Sequence, residues 1–247
     1  MRTQRAIFPC LMLLSVVALT ALLGLLARSA TATAAQERPA DGMTMEAEPT
    51  APSPIRTVVI DAGHGGEDCG ALSAAGLLEK DVNLAVAFAL RDLLEANGIP
   101  VVMTRTEDVL LYDRGADYKG RKKVLDLAAR LAVANETEDS LFVSIHMNAF
   151  PQTRYSGMQV WYGTRDERSR DVAQSVQTAA LALQPDNNRK IKAAGSNIFL
   201  LDNLDTPAIL VECGFLSNPE EASRLGDEEY QKQLAFIIFG AIAAHMR

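Results

Sequence analysis

The sequence predicts an α/β fold: a single domain with a mostly parallel central sheet flanked by helices, its site at the carboxyl ends of the strands. Two observations carry this. From Ile55 onward, short β-branched apolar runs alternate with amphipathic stretches of helical period, the pattern of strands joined by helical crossovers. Polar residues suited to chemistry stand directly after three of those runs, where sites form in open sheets of this kind.

The elements follow in order. Val58-Val59-Ile60 reads as a fully buried strand. Val82, Ala85/Val86, Ala89/Leu90 and Leu93/Leu94 recur at helical spacing, and Asn97-Gly98 closes that helix. Val101-Val102-Met103 is the next strand. An irregular stretch from Thr106 to Gly120 precedes a second helix marked by Val124, Leu127/Ala128 and Leu131, and Leu141 to Ile145 is a third strand. Met158 to Tyr162 continues the sheet. Val172, Val176, Ala179/Ala180 and Leu183 mark a third helix, after which Ile198 to Leu201 and Ala208 to Val211 are expected as two more strands. "SNPEE", Ser217 to Glu221, starts a helix: Pro219 gives up only an N–H that the first turn would leave orphaned, and the acidic pair meets the positive end of the dipole. A final helix carries Leu234, Ile237/Ile238 and Ala241.

The chain ahead of this pattern is of another kind. Arg2 and Arg5 precede an uncharged apolar stretch, Ile7 to Ala27, long enough for a hydrocarbon core of about 30 Å. Arg28 ends it, and "SATATAAQ" offers two A-x-A cleavage patterns. Residues 1–35 are therefore expected to be a signal peptide or membrane anchor, with removal and retention both open. Residues 36–54, rich in Pro, Ala, Glu and Thr, read as a flexible linker, and 55–247 as the catalytic domain. That domain is expected to be extracytoplasmic, secreted or tethered to the membrane.

A net charge of −7 argues against nucleic acid as a partner. Arg121-Lys122-Lys123 reads as solvated surface, while Arg189 to Lys192 stays open as a contact for an anionic polymer. Of three cysteines, Cys10 falls in the leader, and no C-x-x-C pair exists. Neither a disulfide scaffold nor a thiolate zinc site is supported. Cys69 and Cys213 belong to the same expected edge, so a disulfide stays open, with two separate thiols preferred because nothing in the sequence fixes their distance.

The three strand ends read Asp61-Ala62-Gly63-His64, Ser144-Ile145-His146-Met147-Asn148 and Val211-Glu212-Cys213-Gly214. The chain has only three histidines, and the third, His245, lies on the apolar stripe of the last helix as a packed or frayed residue. One strand-end histidine alone would be a satisfied turn or core residue. Two at equivalent strand ends favour a shared metal. A catalytic zinc takes three protein ligands, and Glu79 at the start of the first helix would face the same edge, although the helix dipole alone explains an acidic residue there. Asp81, Glu67 and Asp68 are also near, and spacing does not choose among them.

"VVIDAGHGG", Glu79, "SIHMNA" and "VECGFLSN" appear in an order and spacing that resembles the zinc-dependent N-acetylmuramoyl-L-alanine amidases often called amidase 3. The similarity covers Ile55 to Arg247, and four motifs in order are far more specific than "GHGG" alone. The resemblance implies one zinc held by His64, Glu79 and His146, with Glu212 as the catalytic carboxylate that takes the proton of an activated water and passes it to the leaving nitrogen. Asp61 is placed either to orient the His64 imidazole or to cap the turn, and the glycines to let substrate approach His64.

The resemblance further implies peptidoglycan as substrate, cut between N-acetylmuramic acid and the L-alanine of the stem peptide, with Asn148 and the "NNRK" segment, Arg189 included, as candidates for holding glycan or stem carboxylates. "TRTED" and "KGRKKVLDLAAR" are similar to the germination-specific amidases of spore formers, whose product leads to muramic δ-lactam in spore cortex. A general cell-separation amidase would share every catalytic residue. A zinc-containing wall-binding domain without turnover, disfavoured by Glu212, and a carboxypeptidase, separable by its product, complete the alternatives. No wall-binding repeat is evident, so the domain is expected to find substrate unaided, by its tether, or through an activating or delivering protein.

Overall fold

Among the described residues of the computed structural model, 53–115 and 119–246, the apolar runs pair into one sheet. Its strands are β1 (Thr57–Ala62), β2 (Val101–Met103), β3 (Ser140–Asn148), β4 (Gln159–Tyr162), β5 (Lys192–Ala193) and β6 (Ala208–Phe215), in the order β2-β1-β3-β6-β4-β5. β1, β2, β3 and β6 are mutually parallel, β4 is antiparallel to β6, and β5 is parallel to β4. The expected leader, and all of the linker except Ser53 and Pro54, lie outside the described residues. No helix among the described residues is long and apolar enough to cross a membrane.

Helices α1 (Glu79–Ala96), α2 (Lys122–Asn135), α3 (Arg168–Ala179), α4 (Phe199–Asn203), α5 (Pro219–Leu225) and α6 (Glu228–Ala243) cover the sheet. Strand side chains alternate between its faces. Val58, Ile60, Leu141, Val143, Ile145, Ile209 and Val211 join α1, α3 and α6 in one apolar cluster, whereas Val59, Phe142 and Ala208 join α2 and α4 in a second. Full burial of each such aliphatic side chain is worth about 1.5–3 kcal/mol, which fixes the register. The same alternation puts Asp61, Ser144, His146 and Glu212 on the second face, because each stands an even number of residues from Val59, Phe142 or Ala208 on its own strand.

Most helix ends fall where the sequence marks them. α1 stops at Asn97, with Gly98 at φ 74°, and the Asn218 side chain caps α5 by accepting from the N–H groups of Glu220 and Glu221 at 3.0 and 3.1 Å. One expected element is corrected: Ile198 to Leu201 is not a strand but the start of α4. The neighbouring position beside β4 is taken by β5, whose Lys192 and Ala193 are both exposed, and a lysine at a sheet edge discourages further pairing. The freed segment instead closes helical bonds, Asp202 N–H to Ile198 O and Leu204 N–H to Leu200 O, both 3.1 Å, and sinks Leu200 and Leu201 into the second cluster.

Candidate active site

β1 ends at Ala62, and the chain turns sharply through Gly63-His64-Gly65-Gly66. His64 has a left-handed backbone at φ 61°, unusual for a residue with a Cβ. Two buried arginines hold that turn. Arg105 donates to the carbonyls of Ala62 (2.8 Å), Gly63 (3.0 Å) and Lys80 (2.8 Å). Arg130 donates to Ala62 O (2.8 Å) and His64 O (2.7 Å). The carbonyls that a left-handed turn leaves without ladder partners are thereby satisfied.

β1 and β3 are parallel neighbours, and so are β3 and β6, with His146 directly opposite Glu212. His64 and His146 thus meet with ring centroids 5.0 Å apart at an interplanar angle of 76°. Glu79, the first residue of α1 and only 4% exposed, reaches between them. Its Oε1 lies 3.2 Å from His64 Nε2 and 2.9 Å from His146 Nδ1. Its orientation is fixed by N–H donors: Ala71 to Oε2 at 2.7 Å and Met147 to Oε1 at 3.1 Å. Burial alone would raise the Glu79 pKa, but the two imidazoles hold it well below the usual carboxylate range. One ligand atom from each of the three residues lies within 4.8 Å of the other two. Two imidazoles and a carboxylate, gathered on rigid elements, fit a catalytic zinc.

Glu212 completes the edge. Its Oε2 is buried with no hydrogen-bond partner among the described residues, a costly state for a carboxylate that nothing else serves. Burial pushes its pKa up to about 7, with His146 and His64 opposing the shift and Glu79 adding to it. Asn148 follows a register shift in β3 and shares a cavity of about 500 Å³ with His146 and Glu212.

Asp61 differs from expectation. Its carboxylate accepts from Thr104 Oγ1 (2.7 Å), Ser144 Oγ (2.6 Å) and Arg130 Nη1 (2.7 Å), so it neither orients the His64 ring nor merely caps the turn. It acts on His64 through Arg130. The carboxylate beside His64 Nδ1 is that of Asp68, at 3.0 Å but without the alignment of a hydrogen bond. The glycines also serve a purpose other than substrate approach. A Cβ on Gly63 would run into the His146 ring, and one on Gly70 into the Glu79 carboxylate and the His64 ring. They make room for the proposed ligands.

Other expected residues sort themselves plainly. Arg189 is not gathered with Glu212: it donates to Ser156 O at 2.7 Å, stacks 4.4 Å from the Phe215 ring centroid, and lines a different cavity. Lys122 and Lys123, read as solvated surface, face the loop after His64, 3.1 Å from Glu67 Oε1 and 3.6 Å from Asp68 Oδ2. His245 pairs with Ser175 Oγ at 2.9 Å. Cys69 is exposed, Cys213 is buried, and both are free thiols. Sequence reasoning missed Arg105, Arg130 and Asp68 as supports of His64, although "TRTED" and "KGRKKVLDLAAR" contain the two arginines; the only signal was an arginine inside otherwise apolar or turn-bounded stretches.

The family model for N-acetylmuramoyl-L-alanine amidase matches residues 58–244. The germination-specific N-acetylmuramoyl-L-alanine amidase of Bacillus subtilis is 40% identical over 187 residues, covering 76% of this chain and 78% of its own. The amidase LytC of the same organism is 30% identical over 193 residues, 77% of this chain and 36% of its own. Among solved structures, the CwlD amidase of Clostridioides difficile, solved in complex with the GerS lipoprotein, matches with a TM-score of 0.74 at 37% identity, covering 77% of this chain and 98% of that one. A match that runs from within β1 past the end of α6 leaves one assignment: the chain belongs to the N-acetylmuramoyl-L-alanine amidase family, hydrolases acting on peptidoglycan.

Proposed function

We propose that this amidase is a zinc enzyme in which His64, Glu79 and His146 hold the ion and Glu212 moves the proton, cutting between N-acetylmuramic acid and the L-alanine of the stem peptide. Zinc held there would supply Lewis acidity, polarising the scissile carbonyl and activating water at neutral pH. The chain's own part is positioning and proton transfer. Glu212 Oε2 accepts the proton of the attacking water, and the same carboxyl then delivers it to the departing alanine nitrogen; such transfer is worth about 10²- to 10⁴-fold. Asn148, on the shared cavity wall, is offered as a hydrogen-bonding group for substrate. The observation that carries this reading is the buried, unpartnered Glu212 oxygen beside the His64, Glu79 and His146 group.

The biological setting proposed is spore cortex maturation, supported by the 40% identity to a germination-specific amidase, with muramic δ-lactam as the downstream product. The domain would act outside the cytoplasm, delivered by residues 1–35 as signal or anchor and by the linker over 36–54. Complex formation between CwlD and a lipoprotein supports an activating or delivering protein partner here. Digestion of purified peptidoglycan followed by mass analysis tests the chemistry: free stem peptides and peptide-free glycan are expected, and release of single terminal amino acids would mean a carboxypeptidase instead. Spores of a strain lacking the protein should have cortex without muramic δ-lactam; unchanged cortex would favour a general cell-separation role.

A further inference from the structure

The cavity that opens from Glu212 runs along the second face of the sheet, between α2 and α4. At one end stand His146, Asn148 and Glu212; its wall is apolar, with Leu127 of α2, Leu210 of β6, Trp161 of β4 and Phe199 of α4. Phe199 is 41% exposed although it begins a helix whose next two residues are buried, so its ring is held out toward the cavity and away from the core. We propose that this wall is the glycan subsite of the enzyme, with the uncharged sugar rings next to the scissile amide lying against Phe199 and Trp161. The proposal rests on the amidase reading above.

The linings of two cavities separate the two arms of such a substrate. A pyranose presents C–H faces and an acetamido methyl, and these pack on aromatic rings as other apolar groups do. A stem peptide presents carboxylates. Away from Glu212 the wall of the aromatic cavity is mostly apolar; of the cations near it, Lys123 sits 3.6 Å from Asp68 Oδ2 and Lys192 Nζ lies 5.0 Å from the Trp161 ring centroid. Carboxylates of a stem peptide laid along that apolar wall would lose water without gaining comparable partners. A second cavity, of about 570 Å³, is lined by Arg154, Arg189 and Arg224 together with Asp186, Glu220 and Glu221. Of the three carboxylates, Glu221 accepts from the N–H groups of Gly157 (2.9 Å) and Phe215 (2.8 Å), and Arg224 Nε is buried with no hydrogen-bond partner among the described residues. Charged groups of both signs make that cavity the better match for the charged peptide arm.

Trp161 is the only tryptophan of the chain, so its fluorescence reports this cavity directly. The full chain is titrated with a peptide-free N-acetylglucosaminyl–N-acetylmuramic acid disaccharide and, separately, with free stem peptide. The disaccharide should shift the emission saturably, the stem peptide should not, and Phe199→Ala should weaken disaccharide binding about 3- to 10-fold with an unchanged circular dichroism spectrum. A saturable response to the stem peptide alone, no response to either ligand up to millimolar concentration, or unaltered disaccharide affinity in Phe199→Ala overturns the assignment. Release of stem peptides from intact peptidoglycan by the same preparation reports separately on the amidase reading.

Discussion

Arg130 donates a 2.7 Å hydrogen bond to the carbonyl oxygen of His64, 66 residues away in the chain. The left-handed backbone of His64 costs on the order of 1–2 kcal/mol, and this bond is among the contacts that hold it. The same guanidinium is paired with Asp61 and Asp126 at 2.7 and 2.8 Å, all three side chains being buried. The position of the imidazole therefore depends on a buried charge cluster under the sheet edge.

Arg130→Met should cost about 3–5 kcal/mol, because it strands the Asp61 and Asp126 carboxylates away from water. Zinc affinity should fall with it, since His64 loses its backbone support. Denaturant unfolding and competition with a chelating dye measure the two effects, and wild-type values in both would show the cluster to be dispensable.

Asp61 gives the stability a defined pH dependence. Burial alone would raise its pKa, but Arg130, Ser144 and Thr104 together hold it below the usual carboxylate value. The unfolded chain therefore takes up the proton first as pH falls. The contribution is present above the unfolded value of about 3.9 and is lost as pH drops through the lower folded value. In zinc-free protein, Asp61→Asn should be less stable near neutrality and lose less further stability below about pH 4. Urea midpoints across that range decide it; parallel curves for the two proteins would sink the idea.

Glu212→Gln should fold and bind metal as the wild type does, yet lose about 10²- to 10⁴-fold in turnover, because the amide keeps the shape and cannot accept a proton. Muropeptide release at fixed enzyme concentration is the readout. Retained activity would make Glu212 a structural residue.

His146→Ala should no longer hold one zinc per chain, since only two of the three donors would remain. Elemental analysis after dialysis measures this. Stoichiometric zinc in the variant would remove His146 from the ligand set.

Gly63→Ala tests why that position is glycine. Its new methyl would meet the His146 ring, so the ring must turn and metal binding should weaken at little cost to the fold. Calorimetric titration with zinc compares the two proteins, and equal affinity would mean that the ring has freedom the geometry does not suggest.

What the sequence determined by itself was the periodic part and its consequences. β-branched runs with a buried period defined β1, β3 and β6, and His64, His146 and Glu212, at or just beyond their carboxyl ends, could be assigned to one edge because parallel strands deliver those ends to the same side. Glu79 needed more: a first-turn glutamate is explained by the dipole alone, and only the resemblance singled it out. Tertiary structure decided what depends on distance across the fold. Asp61 and Arg130 are 69 residues apart, and no local pattern encodes that pairing, nor the exchange by which Asp68 and not Asp61 lies beside the His64 ring. The segment Ile198 to Leu201 was four apolar residues in a row, a signature shared by a buried strand and a short buried helix. It became helix because β5 already occupied the sheet beside β4, and that outcome is what brought Phe199 and Trp161 into the lining of one cavity with Glu212.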